Sequence, residues 1–129
     1  MSKKNFYIIF LLACLASCRK VKEDTLFIGM SRKVHDYIDP VKGISRFDTI
    51  YPEIVKVLES RDSIFFTVES NQIAFEKNKN NTYQKSLQGQ RATIQFQLTS
   101  TDSLKYMYSF SAQANTLYRI EIKFNGEKQ

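Results

Sequence analysis

The sequence predicts an all-β fold in which about seven to nine short antiparallel strands form one domain. Three observations lead to this prediction: apolar and polar residues alternate along several segments, polar turn residues separate these segments, and no window of a dozen residues combines a helical apolar period with caps. The chain has 129 residues, of which 43% are hydrophobic and 25% charged. This composition fits a single small globular domain.

The alternation is clearest in the last third of the chain. Ile120, Ile122 and Phe124 fall on one side of a predicted strand, and charged residues lie between them. Residues 93–99 and 104–111 repeat the pattern. Because successive side chains of a strand point to opposite faces, these segments predict an antiparallel meander with one buried face. We expect a bulky inward set that fills most of the interior: Phe65 or Phe66, Phe75, Phe96, Tyr106, Phe110, Tyr118 and Phe124.

The upstream part of the chain predicts further strands with less regular alternation. They lie at residues 26–30, 54–58, 64–68, 73–75 and 82–87. Polar turns are expected between them, at residues 39–43, 59–62, 77–81 and 88–90. Pro52 should mark an edge or a bulge, because proline has no N–H for a ladder. Since an open meander leaves two unpaired edges, we expect the sheet to close into a small barrel or to fold into a sandwich.

The first 17 residues are expected to be an export signal whose apolar part is helical. Lys3 and Lys4 precede an uncharged apolar run from Phe6 to Ala16. This run is shorter than the roughly 20 residues that cross a bilayer. Its length is typical of the hydrophobic region of a signal peptide.

Leu15-Ala16-Ser17-Cys18 follows directly and resembles the lipobox of bacterial lipoproteins. The resemblance implies cleavage between Ser17 and Cys18 and acylation of Cys18 with palmitate-type chains. Residues 18–24 would then be a lipidated tether and residues 25–129 the β domain. Two or three acyl chains hold a protein at a membrane effectively permanently, whereas one chain is marginal. In enteric bacteria Asp after the cysteine favours the inner membrane, so Arg19 favours the outer membrane.

The predicted processing also leaves the mature chain without a free thiol. Cys14 leaves with the signal and Cys18 is consumed by the anchor, so we expect no disulfide and no thiol catalysis. Loss of Lys3 and Lys4 lowers the formal net charge from +6 to +4. A surplus of this size without clustered basic residues and stacking aromatics does not predict nucleic-acid binding.

Four tripeptides share the form Asp, hydroxyl residue, aliphatic: Asp24-Thr25-Leu26, Asp48-Thr49-Ile50, Asp62-Ser63-Ile64 and Asp102-Ser103-Leu104. One interpretation is structural: the polar pair satisfies turn amides and the aliphatic residue enters the core as a strand begins. The other is that the tripeptides match the O-glycosylation acceptor motif of Bacteroidota, which implies modification at Thr25, Thr49, Ser63 or Ser103. The two interpretations are compatible.

Together with the lipobox and these strand starts, the ending Phe124-Asn125-Gly126-Glu127-Lys128 is similar to that of short lipocalin-like β lipoproteins of Bacteroidota. The resemblance implies a small β domain anchored to the outer membrane. It carries no set of binding residues over to this chain.

The sequence does not predict an enzyme, a cofactor or a metal site. His35 is the only histidine, and only Asp36 and Asp39 are acids near it, so a metal would need ligands from elsewhere in the fold. No nucleophile elbow, metalloprotease motif or glycine-rich phosphate loop is present in the sequence.

The sequence leaves two alternative functions, which belong to different classes of protein. The first is a non-catalytic binding module of the cell envelope that takes a partner protein, a glycan or a small apolar ligand. Tyrosines and lysines that could lie at loop ends motivate it, because such residues are common in recognition surfaces: Tyr37, Tyr51, Tyr83, Tyr118, Lys77 and Lys79. The alternative is a structural or inhibitory accessory subunit that docks one sheet face on an envelope protein complex.

Overall fold

A computed structural model describes residues 24–113 and 117–129. The predicted signal helix, the cleavage site at Ser17 and Cys18, and most of the tether lie outside these residues. The described part contains strands and no helix, which confirms the all-β prediction. Its eight strands are β1 (Thr25–Asp39), β2 (Gly43–Glu59), β3 (Ser63–Val68), β4 (Asn71–Glu76), β5 (Thr82–Leu87), β6 (Ala92–Leu98), β7 (Ser103–Gln113) and β8 (Leu117–Lys128).

The eight strands form one antiparallel sheet in the order β4-β3-β2-β1-β8-β7-β6-β5. Two four-stranded meanders are therefore joined where β1 pairs with β8. The sheet curls until its two edges, β4 and β5, face each other, which gives a nearly closed barrel rather than a sandwich. Side chains cover this seam: the rings of Phe75 and Tyr83 lie 5.6 Å apart, and Lys85 Nζ lies 6.0 Å from the centre of the Phe75 ring.

The barrel has two unlike ends. At one end, the base, β1 begins and β8 ends, and the β2–β3, β4–β5 and β6–β7 connections lie there. At the other end, the mouth, the remaining hairpins turn. The four central strands have 11–17 residues, whereas the others have 6 or 7. The long strands therefore continue past the mouth as an extension, formed by β1 and β2 beyond Ser31 and Tyr51 and by β7 and β8 beyond Phe110 and Ile120.

Aromatic rings fill the barrel toward the base. Phe66 and Phe96 are fully buried and stack with ring centres 4.1 Å apart and planes 7° apart. Tyr106 stacks on Phe124 at 5.3 Å. Offset stacking of this kind adds about 0.5–1.5 kcal/mol per pair to the free energy gained by burial. Aliphatic side chains complete this core, namely Val55, Val57, Ile64, Ile94 and Leu104.

β1 and β8 approach each other unusually closely at a pair of glycines. Gly29 is paired with Gly126. A Cβ atom at position 29 would lie 1.9 Å from the carbonyl oxygen of Asn125 and 2.5 Å from the Cα of Gly126. These are backbone atoms that cannot turn aside, so only glycine fits at position 29.

The structure confirms most predicted strands and turns and corrects several details. Residues 26–30 are only the beginning of a 15-residue strand. Pro52 lies where β2 has no neighbour on its second side, since β3 pairs with β2 only over residues 55–59, so the predicted edge is confirmed. Asp48-Thr49-Ile50 lies inside β2, and Ile50 is 65% exposed, so the strand-start interpretation is wrong there.

The expectation of a mostly filled interior is wrong at the mouth. Phe110 and Tyr118 lie on the inner face but are only half-buried, because Phe110 pairs with Ala92 at the last step of the β6–β7 ladder and Tyr118 lies beyond it in the extension. They therefore do not pack into the barrel core. The space that they were expected to fill is a cavity.

Candidate functional site

A cavity of about 500 Å³ opens at the mouth of the barrel. Its position follows from the side chains of the inner face. Toward the base this face carries stacked aromatic rings, whereas five of the twelve residues that line the cavity are smaller aliphatic ones: Val68, Ile73, Leu87, Ile94 and Ile122. Residues of the β3–β4 and β5–β6 hairpins, Glu69 and Gln88, form its rim.

Glu53 places a buried carboxylate in the wall of this cavity. Its side chain lies on the inner face of β2 opposite Gly29, which has no side chain to occupy the same space. Glu53 is only 8% exposed. The hydroxyl of Tyr106 donates a hydrogen bond of 2.6 Å to Glu53 Oε2, and the hydroxyl of buried Ser31 donates to the same oxygen.

The second carboxylate oxygen, Glu53 Oε1, is buried and has no hydrogen-bond partner among residues 24–113 and 117–129. A buried polar atom without a partner costs about 1–3 kcal/mol, and more when the group is charged. Most buried polar groups in proteins are paired, so an exception at a cavity wall indicates a function there.

Three tyrosines share the cavity with this carboxylate. Burial, followed by the hydrogen bond to Glu53, raises the pKa of Tyr106 well above its usual value. Burial and then the negative charge of Glu53 raise the pKa of Tyr51. Burial also raises the pKa of Tyr108. All three hydroxyls therefore stay protonated at neutral pH, and Tyr106 uses its proton in the hydrogen bond to Glu53.

The sequence analysis missed Glu53, although a signal for it exists. Tyr51, Val55 and Val57 lie at odd positions of β2 and share its inner face with Glu53. A single acid in the apolar phase of an alternating strand is unusual, because a buried charge needs hydrogen-bonding partners. The partners here come from β1 and from β7, which is 53 residues away in sequence.

The predicted lipidation and cleavage residues, Cys18 and Ser17, lie outside the described residues. Of the proposed acceptor hydroxyls, Thr25, Ser63 and Ser103 are the first residues of β1, β3 and β7, all at the base. Ile64 and Leu104 are buried, as the strand-start interpretation expects, whereas at the first tripeptide Phe27 enters the core and Leu26 is only half-buried. The Ser103 hydroxyl donates to Glu127 Oε2 at 2.8 Å.

The tyrosines and lysines proposed for recognition do not form one surface. Tyr83 is buried in the core, and Tyr51 lines the cavity. Tyr37 and Tyr118 pair with each other in the extension. Lys77 and Lys79 lie at the base, where Lys77 Nζ pairs with Glu59 at 2.9 Å. Only Tyr51 belongs to the candidate site.

His35 and Asp36 point to opposite faces of β1, so they cannot hold one metal ion together. The His35 ring lies edge-on to Tyr118 with centres 4.4 Å apart. No group of three or more metal-ligating His, Cys, Asp or Glu side chains occurs within the described residues.

Asp36 instead binds two arginines from the neighbouring strands of the extension. Its Oδ1 accepts from Arg46 at 2.6 Å, and its Oδ2 accepts from Arg46 at 2.9 Å and from Arg119 at 3.0 Å. The hydrogen bonds from Arg46 and then Arg119 lower the pKa of Asp36 to about 2. This cluster crosslinks β2, β1 and β8 where the extension has no barrel core beneath it.

The Asp36 cluster predicts a pH-dependent stability. A lowered pKa in the folded state stabilises the protein above the unfolded value of about 4, and this contribution is lost as the pH falls toward 2. Asp36→Asn should therefore lower the thermal unfolding midpoint at pH 6 and have a much smaller effect at pH 2. Asp62→Asn, in the exposed β2–β3 turn, serves as the control. Equal effects of Asp36→Asn at both pH values would contradict the prediction.

Residues 24–113 and 117–129 form no apolar helix of membrane-spanning length. Comparison with known proteins adds no assignment to this geometry: no protein-family model, no curated protein and no solved structure matches the chain.

Proposed function

We propose that this protein is a lipid-anchored binding module of the cell envelope, at the outer membrane, whose barrel takes a small and mostly apolar molecule without acting on it chemically. The observation that carries the proposal is the cavity of about 500 Å³ at the mouth. Ligand sites are typically cavities of about 300–1,000 Å³ with apolar walls and a few converging polar groups. Here Glu53 and Tyr106 supply such polar groups.

The topology is compatible with an anchor at Cys18. β1 begins at the base, and the last residue is tied to it, since the amide of Gln129 donates to the carbonyl of Leu26 at 2.9 Å. The cavity lies at the opposite end of the barrel. A tether joined at Thr25 would therefore leave the mouth free on the side away from the membrane.

The anchor is tested by replacing the two cysteines separately. In a lipoprotein-processing host supplied with labelled palmitate, the wild-type chain should incorporate label and partition into the membrane fraction. Cys18→Ser should abolish incorporation completely, because the acylated sulfur is gone. Cys14→Ser, four residues earlier, should incorporate label like the wild type. Label retained in Cys18→Ser, or absent from the wild type, would contradict the proposal.

The cavity is tested with 2-phenylethanol, a neutral apolar probe small enough for its volume. Calorimetric titration should detect binding to the protein produced from the full-length sequence, with empty lipid nanodiscs as reference. Leu87→Trp places an indole in the cavity wall and should weaken binding at least fivefold. Val41→Trp, at a position that is 93% exposed in the β1–β2 turn, should leave binding unchanged. Failure of the wild type to bind would contradict this function.

One observation favours the alternative of an accessory subunit. Large apolar side chains are exposed next to one another on the outer face of β1 and β2, where Ile28 pairs with Ile54 and Met30 with Pro52. Contiguous exposed apolar surface is typical of protein interfaces. A protein that is captured from envelope extracts by the wild type and by Leu87→Trp, but not by Ile54→Lys, would support docking over ligand binding.

A further inference from the structure

The cavity is distinguished by the charge of the residues that line it. Glu53 in its wall and Glu69 at its rim are both acids. No lysine, arginine or histidine of the described chain lines it. The carboxylate of Glu53 therefore receives hydrogen bonds from neutral hydroxyls only, and no cation within the site balances its charge.

We propose that the cavity selects a ligand that joins an apolar body to a protonated amine, with the ammonium group bound at Glu53 Oε1. This inference rests on the proposed function of the cavity as a ligand site. The unpartnered oxygen requires a donor, and an ammonium group supplies both the donor and the opposite charge. A neutral hydroxyl would supply only the donor.

The remaining walls agree with this class of ligand. Tyr51, Tyr106 and Tyr108 line the cavity, and aromatic faces attract cations within about 6 Å of the ring centre. The aliphatic side chains of the wall suit the apolar body of the ligand. A ligand carboxylate would instead meet the Glu53 carboxylate inside a partly desolvated cavity, where like charges repel strongly.

The proposal is tested with three probes that share a phenyl body and differ in the polar group: 2-phenylethylamine, 2-phenylethanol and 3-phenylpropanoate. All are titrated at pH 7 into the protein produced from the full-length sequence, with empty nanodiscs as reference. We expect the amine to bind at least tenfold more tightly than the alcohol, and the carboxylate to bind more weakly than both.

Two matched variants assign the preference to one carboxylate. Glu53→Gln keeps the shape of the side chain and removes its charge, so it should reduce amine affinity at least tenfold and change alcohol affinity less than threefold. Glu76→Gln, exposed at the base end of β4 and outside the cavity, should change both affinities less than threefold. The comparison of probes on the wild type stands even if Glu53→Gln does not fold, which circular dichroism will show.

The outcomes separate this inference from the function on which it rests. If the alcohol binds and the amine binds no more tightly, the cavity is a ligand site and the amine inference is wrong. The inference is also wrong if the carboxylate binds best, or if folded Glu53→Gln retains the amine preference. If none of the three probes binds, the proposed function itself is contradicted.

Discussion

Phe66→Ala is expected to lower the free energy of unfolding by about 3–5 kcal/mol, the range observed when a buried phenylalanine is truncated. Phe66 has no exposed surface and lies at the centre of the aromatic core. It stacks on Phe96, and its ring centre also lies within 5.9 Å of the Phe75 ring and 5.6 Å of the Tyr83 ring. Its loss would leave a void that rings on three other strands cannot all close.

Urea denaturation followed by far-ultraviolet circular dichroism measures this effect. Phe47→Ala is the matched control, because Phe47 is 64% exposed on the extension. Substitutions at such surface positions usually change stability by less than about 0.5 kcal/mol. A loss below about 1 kcal/mol for Phe66→Ala, or equal losses for the two variants, would show that the aromatic stack does not hold the barrel together.

Gly29→Ala is expected to destabilise the protein by at least about 1–3 kcal/mol, the usual cost of adding atoms to a packed interior. The added methyl group would overlap the backbone of β8 at Asn125 and Gly126. Because these are main-chain atoms, the overlap can be relieved only if β1 and β8 move apart. Their pairing is the junction between the two meanders, so the strain falls on the centre of the sheet.

The same denaturation measurement tests this prediction, with Gly89→Asn as control. Gly89 lies in the β5–β6 turn at φ 63°, with no atom within 4 Å of an added Cβ. Asparagine adopts this left-handed conformation more readily than most residues, so Gly89→Asn should lower the free energy of unfolding only slightly. If Gly29→Ala is no more destabilising than Gly89→Asn, the close approach of β1 and β8 does not constrain stability.

The local parts of the fold were predictable from sequence because strand alternation and turn residues act over a few neighbours. Phe96, Tyr106 and Phe124 were assigned to the inner face from their spacing alone, and they are buried there. The length of β1 was not predictable, since polar and apolar residues occur on both faces of residues 31–39 and give no clear alternation. Pairing with β2 and β8 on its two sides holds that segment extended.

The candidate site was less accessible to sequence analysis. The spacing within β2 places Glu53 on the inner face, but its hydrogen bonds to Ser31 and Tyr106 depend on which strands surround it. The cavity likewise depends on strand lengths: Tyr118 has the correct phase to fill the barrel, yet it lies beyond the mouth because β7 and β8 extend past Ala92, the residue of β6 that pairs with Phe110. The alternation of a strand shows which face of the sheet a side chain lies on, but not how far along the barrel axis it lies.

The seam between β4 and β5 is the one boundary in the described barrel wall that no backbone hydrogen bonds close. Within the described residues every other neighbouring pair of strands is joined by a backbone ladder, whereas these two edges meet through side chains such as Phe75 and Tyr83. Parting them breaks no inter-strand main-chain hydrogen bond. Partial openings follow the path of smallest free-energy cost. Widening the barrel here would separate the Phe66 and Phe96 rings but keep both four-stranded halves paired, so the seam is the route by which a molecule broader than the mouth would enter.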